Sequence, residues 1–155
     1  MGSFQVAQFN LARLRAPLDA PGSADFVAAL EPINALADKT PGFVWRLQTD
    51  EGNATSIHLF DDDMIIVNMS VWETVEALSD FTYRSEHRSV MARRREWFDK
   101  VDEVYLVLWW VPAGTVPAPQ EGIARLERLR QDGPSPEAFT FKAPFPPPPE
   151  PGAAA

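Results

Sequence analysis

The run VDEVYLVLWWVPAG, residues 101–114, limits the possible folds more than any other stretch of the chain. From about Val104 to Val111 its two alternating sets of side chains are both apolar. Val104, Leu106, Leu108 and Trp110 form one set, and Tyr105, Val107, Trp109 and Val111 the other. Successive side chains of a strand point to opposite faces, so a strand with no polar side is covered on both. Pro112 and Gly114 close it. The chain has 155 residues, which fits one domain, and a domain of that size buries roughly 70% of the surface its unfolded chain would expose.

The other elements follow from periodicity and breakers. FQVAQFNLAR (Phe4 to Arg13) is short, apolar and free of Gly and Pro, and reads as a strand. Two prolines and a glycine break it. Ser23 then offers an N-cap for a helix from Ala24 to about Asp38, with Phe26, Val27, Leu30, Ile33, Leu36 and Ala37 at steps of one, three and four. Pro32 inside that pattern predicts a kink or a late start. TPG (Thr40 to Gly42) ends the helix and FVWRLQT opens a second strand, on which Phe43, Trp45 and Leu47 would share a face. MIIVNMSVW (Met64 to Trp72) reads as a third strand and ETVEALSDFTY as a short helix running into YRSEHRSVMARRREWF. A last helix is expected at about Pro119 to Gln131. The proline-rich end is too poor in backbone donors for helix or sheet, and residues 146–155 are expected to be disordered.

The order is β-α-β-β-α-β with an extra C-terminal helix. This is the α+β, ferredoxin-like arrangement: a four-stranded antiparallel sheet with helices on one face. The doubly apolar fourth strand then needs a cover on its other side, for which a second sheet from another copy, a homodimer, is the economical expectation.

Charge and composition exclude several classes. A formal charge of −8 opposes binding to nucleic acid, which needs a basic face. The absence of cysteine removes disulfides and thiolate chemistry. No basic segment followed by a long apolar run opens the chain, and no window approaches the roughly 18 apolar residues of a membrane span, so no membrane partner and a cytoplasmic location are expected. Three successive carboxylates at Asp61 to Asp63 lack the spaced oxygen ligands of a calcium loop, and no metal site is expected.

Two groups of residues could carry chemistry. On the third strand Ile66, Asn68, Ser70 and Trp72 point one way, while Val67, Met69 and Val71 point the other. An amide, a hydroxyl and an indole on a central strand need partners. Either a pocket with water or a ligand supplies them, or neighbouring backbone or a subunit interface does. In YRSEHRSVMARRREWF, Tyr83, His87, Met91, Arg94 or Arg95, and Phe98 recur at three or four residues and would form one helical stripe. His87 could serve as a base near neutral pH, could ligate haem iron, or could bond to backbone or a carboxylate. The rest of the arginine run would pair with Glu96, Asp99 or other surface acids.

The segments INALADKTPGFVWRLQ, NMSVWETVEAL, YRSEH, MARRREWF, LWWVPAG and GPSPEAFTF together resemble the bacterial domain-of-unknown-function family numbered 3291, over about residues 4–145. That family looks like a branch of the dimeric α/β-barrel superfamily, which includes antibiotic-biosynthesis monooxygenases and haem-binding enzymes. The resemblance implies the fold and a dimer. Asn68 and Trp72, spaced as Asn-x-x-x-Trp, are similar to an Asn and Trp of cofactor-free quinone-forming monooxygenases, which oxidise polycyclic phenols with dioxygen. The expectation is a small-molecule enzyme of that type without a cofactor. His87 would be the base, Arg94 an oxyanion or carboxylate anchor, and Asn68 and Trp72 positioning groups. Ser70, Tyr83, Met91 and Phe98 would line the substrate pocket. A haem protein with His87 as axial ligand and a non-catalytic ligand-binding dimer are the alternatives.

Overall fold

The structure is a computed structural model, and it describes residues 4–17, 19–48, 64–84, 92–99 and 104–148, with the side chains of residues 83, 84 and 94 excepted. Four strands, β1 (Phe4–Arg13), β2 (Phe43–Arg46), β3 (Ile65–Trp72) and β4 (Leu106–Pro112), form one antiparallel sheet in the order β2-β3-β1-β4. Helix α1 (Ala24–Lys39) connects β1 to β2, and α2 (Val75–Arg84) and the short α3 (Arg94–Trp97) lie between β3 and β4. Helix α4 (Pro119–Asp132) follows β4. The element order and strand order are those of the ferredoxin-like α+β fold.

Local chemistry sets the helix ends. Thr74 caps α2 by accepting from the backbone N–H of Ala77 at 3.0 Å. Ser23 precedes α1 but does not cap it through its side chain. Its hydroxyl instead donates to the carbonyl of Ala16 at 3.2 Å, which ties the helix start to the loop after β1. Helix α1 runs unbroken through Pro32, which is exposed.

The odd-numbered residues of β1, β3 and β4 share one face, where Ala7, Phe9, Leu11, Val67, Met69, Val71, Val107, Trp109 and Val111 form a single core with Leu126 and Leu129 of α4. The chain therefore covers part of the far side of β4 itself. This corrects the expectation that helices reach only one side of the sheet. The crossover helices do lie on one side, but the extra helix crosses to the other. Gly122 makes the close approach possible: a Cβ there would sit 2.4 Å from the Phe9 ring.

On the opposite, even-numbered face there are two separate apolar clusters. One holds Val6, Trp72, Leu108 and Phe139 with Ala37 of α1 and Leu78 and Phe81 of α2. The other holds Leu14, Phe26, Trp97 and Phe98, with Ala12, Leu30 and Ile66 packed against it. The C-terminal segment rounds the outer edge of β4: Phe139 exchanges two backbone hydrogen bonds of 2.8 Å with Leu108, and its ring is fully buried. Phe145 is docked too, its carbonyl accepting from Trp110 Nε1 at 3.0 Å.

Strand β2 departs from simple alternation. Phe43 pairs with Trp72, yet Trp45 pairs with Val71 and Arg46 with Ser70, so the register shifts between Phe43 and Trp45. One extra residue turns every later side chain to the opposite face. Phe43 therefore packs edge-on against Trp72, with ring centroids 5.4 Å apart, while Trp45 and Leu47 join the odd-numbered core. The expected shared face of Phe43, Trp45 and Leu47 is corrected to this split. Among the described residues, no helix is long and apolar enough to cross a membrane.

Candidate functional site

The polar residues of β3 meet polar partners on β1. In register, Asn10 lies opposite Asn68 and Gln8 opposite Ser70, with Ala12 and Ile66 beyond one end and Val6 and Trp72 beyond the other. Paired residues on neighbouring strands project to the same face. Two polar rungs thus lie between the two apolar clusters of the even-numbered face.

These side chains bond to one another in a defined direction. Gln8 Nε2 donates to Asn68 Oδ1, and also to Ser70 Oγ at 2.9 Å. Trp72 Nε1 donates to the same Ser70 oxygen at 3.0 Å. Asn10 Nδ2 donates to Gln8 Oε1 at 2.8 Å and, at 3.4 Å, to Asn68 Oδ1. Gln8 is 4%, Ser70 7% and Trp72 1% exposed, whereas Asn68 is open to the surface. The network is buried at its indole end and accessible at its amide end. A hydrogen-bonded cluster of this kind avoids the penalty of unpaired burial and is held rigid.

The next strand adds a cation. Arg46 stands beside Ser70 in the register of β2 and β3, and its side chain is only 12% exposed. Arg46 Nε donates to Asp38 Oδ1 at 2.8 Å and Nη2 to Asp38 Oδ2 at 3.3 Å, a two-pronged pair that fixes the guanidinium between α1 and the sheet. Gln8, Asn10 and Arg46 were not anticipated from the sequence. Gln8 and Asn10 carry the same signal as Asn68 and Ser70, polar residues two apart on a strand. Arg46 carried none, because the bulge hides its face.

The sequence-predicted residues divide into three groups. Asn68, Ser70 and Trp72 come together as described. Phe98 lies in the flanking apolar cluster, its ring 5.0 Å from that of Phe26 in an edge contact. It follows the end of α3 and forms a β-bridge with Leu14, so it does not continue a helical stripe. His87 and Met91, and the side chains of Tyr83 and Arg94, lie outside the described residues, as do Asp61 to Asp63.

Arg93, the first of the arginine run, belongs to a surface network. Arg93 Nε donates to Glu96 Oε2 and Arg93 Nη2 to Asp25 Oδ2, each at 2.8 Å, and its guanidinium lies 4.8 Å from the Trp97 ring centroid. The hydrogen bond from Arg93 holds the Glu96 carboxyl below the ordinary carboxylate range. The chain after α3 is tied to β1: Arg15 N donates to the Trp97 carbonyl at 2.8 Å, and Arg15 Nε to that of Phe98 at 3.1 Å.

Several solved structures are similar. A mutant of SnoaB, a cofactor-independent oxygenase from Streptomyces nogalater, is 16% identical, with 74% of this chain and 97% of that one covered and a TM-score of 0.46. A protein of unknown function from Nitrosomonas europaea is 14% identical, with 75% and 97% covered and a TM-score of 0.45. The protein PA3566 from Pseudomonas aeruginosa is 14% identical, with 73% and 97% covered and a TM-score of 0.45. No curated protein matches the chain. A family model matches residues 5–154, nearly the whole sequence, and the chain belongs to that family, which is described as a domain of unknown function, DUF3291.

Proposed function

We propose that this protein is a small-molecule enzyme that binds an aromatic or polyketide-like substrate on the even-numbered face of its sheet and oxidises it with dioxygen, without a bound cofactor. The observation that carries this reading is the hydrogen-bonded cluster of Gln8, Asn10, Asn68, Ser70 and Trp72, opening at Asn68 between two apolar clusters. Polar groups converging among apolar walls are what a site for an oxygenated ring system requires. The spacing of Asn68 and Trp72 resembles that of the quinone-forming monooxygenases.

The chemistry is balanced by dioxygen alone. A base takes a proton from an activated ring CH₂, and the resulting carbanion, delocalised into an adjacent oxygen, passes electrons to dioxygen. The carbon bonds to one oxygen to give a hydroperoxide, and loss of the second C–H proton with cleavage of the O–O bond leaves that oxygen as a carbonyl and releases the other as water. Asn68 would hold the charged oxygen of the substrate, and Trp72, buried behind it, would help hold the cluster in place through its bond to Ser70. His87 as base and Arg94 as anchor, with Tyr83 and Met91 along the substrate, follow from the helical spacing of the sequence. Phe98 contributes to the apolar cluster beside the cluster's open end.

A homodimer belongs to the same proposal. Trp45, Leu47, Ile65 and Tyr105 at the margins of the odd-numbered face are only partly buried in one chain, and a second copy docking there would cover them.

An oxygen-electrode assay with a set of anthrones and naphthols tests the function. The expected result is uptake of one dioxygen per quinone formed, with no added metal, flavin or haem, falling at least tenfold in Asn68→Ala. Uptake no faster than in protein-free buffer across the set would overturn the enzymatic reading.

A further inference from the structure

The direction of each hydrogen bond in the cluster determines which groups remain for a ligand. Gln8 donates both of its amide protons, one to Asn68 Oδ1 and one to Ser70 Oγ, while its own oxygen accepts from Asn10. Ser70 Oγ accepts from Gln8 and from the Trp72 indole, which uses both lone pairs of the hydroxyl. Its remaining capacity is its proton. Asn68 Oδ1 accepts from both Gln8 and Asn10, and among the described residues Asn68 Nδ2 has no acceptor. The buried indole is a donor only, so of the two bonds at the Ser70 oxygen, the one from Trp72 must be accepted by that oxygen.

We infer that Gln8 is the positioning residue that makes this site a hydrogen-bond donor: by filling the acceptor of Asn68 at the open end of the cluster it leaves the Asn68 amide protons for a ligand oxygen, and so selects a carbonyl, enolate or phenolate over a donor group. This rests on the proposed aromatic site and narrows its substrate class. The specificity is strong in kind, because a ligand N–H set against these protons would find no acceptor and would lose its hydrogen bonds to water. Arg46 stands on the same row of the sheet as Ser70 and Gln8, with its charge paired to Asp38.

Three naphthalene probes that share one ring and one point of substitution test the inference: methyl naphthyl ketone, naphthylamine and methylnaphthalene, all uncharged at neutral pH. Their affinities for the intact protein are measured by isothermal titration calorimetry. The ketone is expected to bind about tenfold more tightly than the hydrocarbon, the yield of one or two good hydrogen bonds, and the amine no more tightly than the hydrocarbon. In Gln8→Glu the carboxylate can only accept, so Asn68 and Ser70 must turn their protons inward. The ketone-to-hydrocarbon ratio is then expected to fall to about one. Asn68→Asp, at the exposed end, keeps the bonds from Gln8 and Asn10 but removes the outward donor, and should lower the same ratio even if the buried Gln8 variant does not fold. Equal binding of all three probes to the unaltered protein, or a ratio unchanged in Asn68→Asp, would overturn the donor assignment while leaving an aromatic site in place. Binding of none of them would remove the aromatic site and this inference together.

Discussion

At the scale of single residues, Ser70 and Asn68 show how burial separates a structural cost from a functional one. Both belong to one network, but Ser70 is closed in and Asn68 is open. Ser70→Ala would strand the Trp72 indole N–H and one Gln8 amide proton, each now without its acceptor. A loss of about 1–3 kcal/mol in denaturant unfolding is expected. Asn68→Ala leaves water to replace what it removes, and should change stability by no more than about 0.5 kcal/mol. A Ser70→Ala variant as stable as the parent would show that the two donors find other partners. Glu96 gives a pH dependence of known sign. Its carboxyl is held below its ordinary value chiefly by the hydrogen bond from Arg93, so the pair stabilises the fold above the unfolded carboxylate pKa and the contribution is lost as pH falls through the lower folded value. The pair is exposed, and the effect is modest. Melting curves between about pH 6 and pH 3, a span that brackets the ordinary carboxylate value, should fall less steeply for Glu96→Gln than for the parent.

At the scale of elements, two contacts decide how the sheet is covered. Gly122 lets α4 lie against Phe9, and the extra methyl of Gly122→Ala would meet the ring at 2.4 Å. Overpacking typically costs about 1–3 kcal/mol, more than the roughly 1 kcal/mol that alanine returns in helix propensity, so a net loss of stability is expected in thermal melts. Phe139 anchors the C-terminal segment at the edge of β4, and Phe139→Ala should cost about 3–5 kcal/mol by opening a cavity beside Trp110 and Phe145. The bounds of β1, α1 and α4 were legible because their periodicity and their proline or glycine boundaries are local. The split of Phe43 from Trp45 was not, because a bulge is set by pairing with β3 and leaves alternation in the sequence unchanged. The partnership of Gln8 with Ser70 was hidden for a related reason. Each polar residue is visible on its own strand, but their opposition depends on a register fixed across 62 residues of chain.

At the scale of the whole molecule, the sheet has two differently finished faces. The even-numbered face carries apolar clusters at both ends and the polar site between them. The odd-numbered face is a continuous core, closed in part by the chain's own α4. A strand apolar on both sides correctly implied two covers, and sequence periodicity identified α4 as a helix but not the side on which it would pack. Covering by α4 weakens the argument that β4 by itself demands a second copy, and transfers the demand to the margin formed by Trp45, Leu47 and Ile65. A dimer formed there should appear in sedimentation as twice the chain mass and dissociate on dilution. Trp45→Glu, with its fold checked by near-ultraviolet circular dichroism, should shift the equilibrium to single chains. Val116→Glu, a change at one of the most exposed apolar side chains, should not. If the unaltered protein sediments as one chain at high concentration, the second copy is unnecessary. The donor cluster, built from β1 and β3 of one chain, would still be complete.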